Sequence, residues 1–239
     1  MNRNLGVQSI FEILTGICLV AVVVFFWPNP LWTSLLLLGI LGMQLWFWGD
    51  RADAVIMLSA ALLGTPSEMI AVKLKIWTYN APGLFLGVPV WIPFVWAALF
   101  CFFRRIALTA HCALQKCWPG SSHPSQKIFF GLLGGIIVVY YFSIAPFISK
   151  KIILVYSLIF IPTAIFWHGG RDRLIFIIGA VIGTVGEYIC IRLGFWHYHY
   201  PVFKSIGLPI SLPMAWGLSA VINGRIAMIW EKNSFRGEP

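Results

Sequence analysis

Phe47, Trp48, Asp53, Gly64, Thr65, Glu68, Trp77, Tyr79 and Pro82 return 119 residues later as Phe166, Trp167, Asp172, Gly183, Thr184, Glu187, Trp196, Tyr198 and Pro201. After one inserted residue, Gly87, Pro89, Pro93, Trp96 and Arg105 return as Gly207, Pro209, Pro213, Trp216 and Arg225. The returning residues are mostly glycine, proline, tryptophan and charges, which generic hydrophobicity explains least. The pattern predicts one structural unit used twice, with the working site where the two copies meet.

That unit belongs in a bilayer. Of the 239 residues, 59% are hydrophobic and only 10% charged, at a mean hydropathy of +0.86, which excludes a soluble domain of this length. Eight apolar stretches, 10–27, 31–48, 54–72, 90–110, 128–145, 152–167, 174–191 and 209–230, each approach the roughly 20 residues that cross a hydrocarbon core. Their backbone groups must bond within the segment, so helices are expected. The fold class read from this is all-α: a polytopic membrane protein of about eight transmembrane helices, built from two parallel four-helix repeats. Residues 1–110 would form the first repeat, 111–127 a cytoplasmic linker containing Pro119, Gly120 and Pro124, and 128–239 the second. Four helices is an even number, so the copies share one orientation and a pseudo-twofold along the membrane normal.

The basic residues set the direction. With the N-terminus inside, the inner loops hold most of the 17 lysines and arginines, including Arg104, Arg105, Arg171 and Arg173, and both termini are cytoplasmic in a cell inner membrane. The net charge of +9 then reflects this bias and anionic headgroups, and nucleic acid is not expected as a partner. The first span runs into Trp27-Pro28-Asn29-Pro30 without a small-residue cleavage site and reads as a retained helix. Five cysteines at scattered positions imply no disulfide framework, and oligomeric state is not legible.

Glu68 and Glu187 are the candidate catalytic residues, because a carboxylate within an apolar span must be paired, hydrogen-bonded or protonated, and a protonated one can act as a general acid. Thr65-Pro66-Ser67-Glu68 also matches a helix capping box, and Thr184 and Glu187 keep its ends. On that reading both helices break at mid-depth and point half-helix N-termini into the protein. Asp53 and Asp172 lie 15 residues before these glutamates, too far along a continuous helix to pair with them. They are expected to form structural ion pairs with Arg105 and Arg225, or to cap their helices.

The segments after these helices share W-x-Y-x-x-P followed by G-x-P-x-x-x-P-x-x-W. Proline and glycine predict an ordered non-helical excursion, and Trp77, Tyr79, Trp96, Trp196, Tyr198 and Trp216 supply the walls of a binding cavity or an interfacial aromatic belt. Thr65, Thr184 and His197 complete the candidate substrate-binding set. His197 and His199 replace Thr78 and Asn80 of the first copy, and as ligands they lack a clear partner. His111, Cys112, Cys117 and His123 are spaced too loosely for a convincing zinc site, so no metal is assigned. Walker, Rossmann, G-x-S-x-G and H-E-x-x-H signatures are absent, and no cofactor is expected.

At Glu187, Trp196, Tyr198, Gly207, Pro209, Pro213 and Trp216, and at Glu68, Trp77, Tyr79, Gly87, Val88, Pro89, Pro93 and Trp96, the chain resembles the carotenoid hydratase family of integral membrane proteins. The resemblance covers about 45 residues per half and implies a linear isoprenoid as substrate and hydration or cyclisation-type acid-base chemistry, a lyase or isomerase activity. Two other classes fit the same residues. A proton-coupled small-solute transporter or lipid flippase would use symmetric carboxylates and broken helices. A non-catalytic membrane subunit would use its small-residue faces for packing.

Overall fold

The computed structural model describes residues 5–117, 170–199, 207–209 and 211–234. The predicted spans 128–145 and 152–167, together with His123, Phe166, Trp167 and Pro201, lie outside the described residues. The rest is mostly helical, with α1 Leu5–Phe26, α2 Pro30–Phe47, α3 Arg51–Lys73, α4 Ile92–Cys117, α5 Gly170–Arg192 and α6 Leu212–Ser234. The first five are long and apolar enough to cross a bilayer, as a membrane protein requires.

Local chemistry sets the helix ends. Asn29 caps α2 by accepting from the Trp32 N–H at 3.3 Å, Pro30 occupies the first turn, and the Thr33 hydroxyl donates to Phe26 O at 2.5 Å, tying α2 to the end of α1. Asp50, and not Asp53, caps α3, accepting from the Asp53 N–H at 2.8 Å. Pro93 and Pro213 fall in the first turns of α4 and α6, where a missing N–H loses no helix bond. The α4 helix continues to Cys117, into the stretch 111–127 read from the sequence as linker.

Helices α3 and α5 run unbroken through the positions where a capping box would have interrupted them. In α3, Pro66 sits inside the helix, and in α5 the continuity passes through a π segment, Gly179–Gly183. Thr65 and Thr184 are therefore helical residues, and among the described residues their buried hydroxyls have no hydrogen-bond partner. A π segment or an interior proline loosens one turn of the ladder, and here each lies within three turns before a glutamate.

The buried seam of α3 is Asp53, Ile56, Met57, Ala60, Gly64, Glu68 and Ala71, a three-to-four spacing of mostly small residues. Leu58, Leu62, Leu63 and Ile70 face outward. Small residues let helices approach, and α3 packs on α4 and α6 while α5 packs on α4 and α6 from the other side, with α1 against α2 and α4. At the centre Trp96 of α4 and Trp216 of α6 stack, ring centroids 5.2 Å apart and 19° between planes. Each indole lies on a glycine: a Cβ on Gly64 would stand 2.1 Å from Trp96, and one on Gly183 2.4 Å from Trp216.

Beyond the helix ends, β1 Trp77–Tyr79 and β4 Trp196–Tyr198 form an antiparallel ribbon, while β2 Leu84–Phe85 and β3 Val88–Pro89 form a short hairpin.

Gly64→Val forces an indole out of its seat, and overpacking of this kind costs about 1–3 kcal/mol, or about 2–4 °C of melting temperature for each kcal/mol. Thermal unfolding of purified protein should show this loss for Gly64→Val and Gly183→Val. It should show none for Gly39→Val, where a Cβ meets nothing within 4 Å.

Candidate functional site

One end of the bundle is an ion cluster. Arg104, 2% exposed, reaches Asp53 at 2.5 Å and Asp50 at 3.2 Å. Arg105 donates through Nε to Asp53 at 2.8 Å, through Nη2 to both Asp53 and Asp50, and lies over the Trp48 ring. Arg225 pairs with Asp172. The ion pairs anticipated from the sequence thus form within each half, but Asp50 and Arg104 enlarge the first into a four-residue network. Burial alone would raise the Asp50 carboxyl; the Arg104 and Arg105 charges and the Asp53 N–H outweigh it and hold that carboxyl below its ordinary range. A lowered pKa means that the contribution of Asp50 to the fold is present above its unfolded value and is lost as the pH falls through the folded one.

Near this end a third intramembrane carboxylate, Glu12, is buried in α1 and accepts from the Thr109 hydroxyl at 2.6 Å and from Gln8 at 3.1 Å. It has no counterpart in the repeat pattern; its one signal is a lone charge in an apolar span. Further polar ties join helices at mid-depth, Ser59 to Asn223 at 2.8 Å and Gln44 to Ala98 O at 3.1 Å.

The opposite end holds Glu68 and Glu187. Along the continuous α3, Asp53 and Glu68 are separated by about 22 Å. Glu68 Oε2 accepts from the Tyr79 hydroxyl at 2.6 Å and the Trp77 indole at 3.2 Å. Glu187 Oε2 accepts from the Trp196 indole at 2.8 Å and the Tyr198 hydroxyl at 3.3 Å. Strand geometry explains the pairing, because residues two apart on a strand point the same way, so Trp and Tyr of each W-x-Y reach one carboxylate together. Trp96 and Trp216 add a further indole beside Glu68 and Glu187 respectively. Burial first, and the Glu68 carboxylate next, push the Tyr79 phenol well above its ordinary range, so it remains a donor.

The ribbon locks the two sets together. Trp77 is opposite Tyr198, Thr78 opposite His197 and Tyr79 opposite Trp196, with ring contacts at 5.3 Å and 5.4 Å for the aromatic pairs. The Asn80 side-chain amide donates a hydrogen bond to Gly194 O at 2.8 Å. His199 meets the Thr78 hydroxyl at 2.7 Å and the His197 ring at 5.0 Å on the exposed side, away from the carboxylates.

Both glutamates line one partly open cavity of about 180 Å³, walled mainly by α1, α4 and α5. Its described wall is apolar apart from the two carboxylates and the edges of Tyr79, Trp91, Trp96, Trp196, Trp216 and Cys190, and it includes no lysine, arginine or histidine. Glu68 is 7% exposed, while Glu187 is half-buried. Of the residues read as substrate-binding, Tyr79, Trp96, Trp196 and Trp216 reach the wall; Trp77 and Tyr198 stand behind the carboxylates as donors; Thr65, Thr184 and His197 are not part of it. The sequence reading missed Trp91, which has no tryptophan at the corresponding position of the second half, and Leu19, Val20 and Val23 of α1, which carry no chemical signal. Among the described residues no three His, Cys, Asp or Glu side chains gather to hold a metal.

The ribbon register yields a direct test. In a background lacking the five native cysteines, Thr78→Cys with His197→Cys should oxidise to an intramolecular disulfide, identified by peptide mass spectrometry, whereas Thr78→Cys with Tyr198→Cys should not. A linked peptide in the second pair and none in the first would refute the pairing.

Two carboxylates, each held by donors from the loop after its own helix, thus share an aromatic-walled apolar cavity, and the chain matches no protein-family model, no curated protein and no solved structure.

Proposed function

We propose that this membrane protein is an enzyme that performs acid-base chemistry on an isoprenoid or other lipid at Glu68 and Glu187. The observation that carries the proposal is the shared cavity: two carboxylic acids, no basic residue in the described wall, and aromatic faces around them. A protonated glutamate gives its proton to a carbon-carbon double bond. The O–H bond breaks, the π electrons form a C–H bond, and a carbocation is left beside a carboxylate. Indole faces at Trp96, Trp196 and Trp216 attract that cation. Water addition, with the proton passing to a carboxylate, gives an alcohol; attack by a second double bond followed by proton loss gives a ring. Neither route needs a metal or a nucleotide. The resemblance to carotenoid hydratases supports a polyene substrate, and the walls of Leu19, Val20 and Val23 on α1 and Val185 and Ile189 on α5 suit a hydrocarbon arriving from the bilayer.

The finer architecture belongs to the same proposal: eight helices in two parallel four-helix repeats, both termini cytoplasmic in the inner membrane. Three matched arrangements support it, namely the Glu–Trp–Tyr sets, the Gly64–Trp96 and Gly183–Trp216 seats, and the Asp53–Arg105 and Asp172–Arg225 pairs. Pro66 and the π segment favour a second reading, a proton-coupled transporter or flippase, because loosened turns beside the carboxylates could hinge.

Untargeted lipid mass spectrometry of membranes from cells expressing wild type, Glu68→Gln and Glu187→Gln separates the readings. The enzyme is expected to change a lipid by the mass of water, or in retention at constant mass for ring closure. Removing the acid should lower conversion by roughly 10²–10⁴-fold. An unchanged lipidome together with proton-coupled flux in liposomes would replace the enzyme with the transporter.

A further inference from the structure

The acids that recur in the two halves are met in two different ways. Asp53 and Asp172 are each paired with a guanidinium, from Arg105 and Arg225. Glu68 and Glu187 are each met by an indole and a phenol, and both of these donors converge on one oxygen, Oε2, of each carboxyl. An indole N–H or a phenol O–H orients a carboxylate and stabilises it by hydrogen bonding, but brings no positive charge. A carboxylate ionised between apolar walls leaves a charge that must be balanced. An arginine does this for each aspartate. For each glutamate, whose bonded partners among the described residues are neutral, the balance is a proton or a cation that arrives as a ligand.

The cavity supplies what such a cation needs. Tyr79, Trp91, Trp96, Trp196 and Trp216 bring aromatic rings to one volume of about 180 Å³, from β1, the turn before α4, α4, β4 and α6 respectively. Trp96 and Trp216, stacked with 19° between their planes, form a continuous aromatic panel. The π face of an indole or a phenol attracts a cation within roughly 6 Å of the ring centroid, most strongly where water is excluded. Rings on several sides with a carboxylate among them suit an ammonium nitrogen wrapped in alkyl or aryl groups, which asks for charge and apolar contact and for few hydrogen bonds. A hard metal ion suits this wall less, because it takes roughly six oxygen ligands and the remaining side chains, from α1 and α5, are almost all aliphatic.

We propose that this cavity binds a lipophilic ammonium cation, a nitrogen centre carrying apolar substituents, which pairs with Glu187 and displaces the proton of that glutamic acid. Glu187 is the partner because it is half-buried where Glu68 is 7% exposed, and because α5 supplies a run of the wall from Ile182 to Cys190 while α3 supplies only Glu68. On binding, the Glu187 O–H bond breaks, its proton passes to water, and the carboxylate left behind faces the ammonium; no bond to the ligand is made or broken. Glu68 keeps its proton, so one positive charge enters as one leaves. The other titratable groups at the site, the Tyr79 and Tyr198 phenols and the Cys190 thiol, stay protonated at neutral pH and below. The α1, α4 and α6 helices bring only aliphatic and indole side chains to the described wall. The ligand is bound and not converted, so the proposal goes beyond the lipid chemistry above and does not depend on it.

The test uses the purified full chain in dodecyl maltoside micelles, which carry no charge, and two probes of one shape, benzyltrimethylammonium and neopentylbenzene, in which a carbon replaces the nitrogen. Equilibrium dialysis read by mass spectrometry, with protein-free micelles as the blank, gives the affinity for each. Wild type is expected to bind the cation, and Glu187→Gln to weaken that binding roughly tenfold or more, as for loss of one partner of a buried charge pair. Glu68→Gln should weaken it less. Glu12→Gln, which removes a buried carboxylate outside the cavity wall, should leave it unchanged. Affinity for neopentylbenzene should be the same in all of these proteins, which separates loss of charge from collapse of the cavity. In a weakly buffered, mildly acidic solution, where a buried glutamic acid holds its proton, a pH indicator should report about one proton released per cation bound to wild type, and none with neopentylbenzene. Proton release is read on wild type and therefore decides the case even where a glutamine variant fails to fold. Full cation affinity in Glu187→Gln, equal losses in Glu187→Gln and Glu12→Gln, or cation binding without proton release overturns the proposal. Cation binding by a protein whose membranes show no lipid conversion would keep this site and reject the enzyme; lipid conversion without cation binding would do the reverse.

Discussion

A carboxylate carried into the apolar part of a bilayer must be met by donors or by a proton, and in this protein the donors come from outside the helix that carries it. Glu68 and Glu187 each take an indole and a phenol from the strand that follows their own helix. The requirement fixes the path of the chain after α3 and after α5: three residues must leave the helix, extend, and fold back to depth. Two such strands lie side by side, and pairing them satisfies the backbone groups that an extended segment would otherwise leave bare near lipid. Burying the glutamates therefore determines the ribbon, and the ribbon brings the two carboxylates into one cavity.

The helices adapt to the same demand from the other side. Trp96 and Trp216 can stand beside the glutamates only because Gly64 and Gly183, one turn earlier on α3 and α5, leave room for a six-membered ring. Large rings against bare backbone give close packing where lipid offers no hydrophobic drive for helices to associate. The π segment and Pro66 sit on the same two helices, so each loosened turn adjoins a tightly seated indole. The local weakness is held by tertiary contact.

Much of this was legible in the sequence, and its gaps have physical causes. Helices follow from hydropathy because lipid permits few alternatives, and the described helices fall on the corresponding predicted stretches. The importance of Trp77, Tyr79 and their counterparts was visible from their recurrence. Their pairing across the ribbon was not, because three-residue strands lack a period long enough to register. Thr65-Pro66-Ser67-Glu68 reads locally as a helix start, yet α3 continues, since tertiary contacts on both sides of Pro66 outweigh one lost backbone bond. Asp50 and Glu12 escaped notice, and Arg104 was read only for orientation, because they occur once, and a reading built on recurrence discounts what is unique. The α1 wall escaped for the opposite reason: leucine and valine in a membrane span look alike whether they face lipid or a ligand.

The unique residues and the recurring ones divide the work by depth. Recurrence supplies what a two-part site needs twice, a carboxylate and its donors, about 22 Å along α3 from the ion cluster. At the cluster end, two arginines and two aspartates tie α3 to α4 through four ion pairs, Asp53 and Arg104 fully buried and Asp50 partly exposed. Displacing helices at that end would separate charges, whereas at the other end the contacts are between rings and aliphatic side chains, which can shift without stranding a charge. The glutamates lie at that end. Their direct partners are also neutral donors, and a hydroxyl or an indole stays in place whether the acid keeps its proton or gives it up.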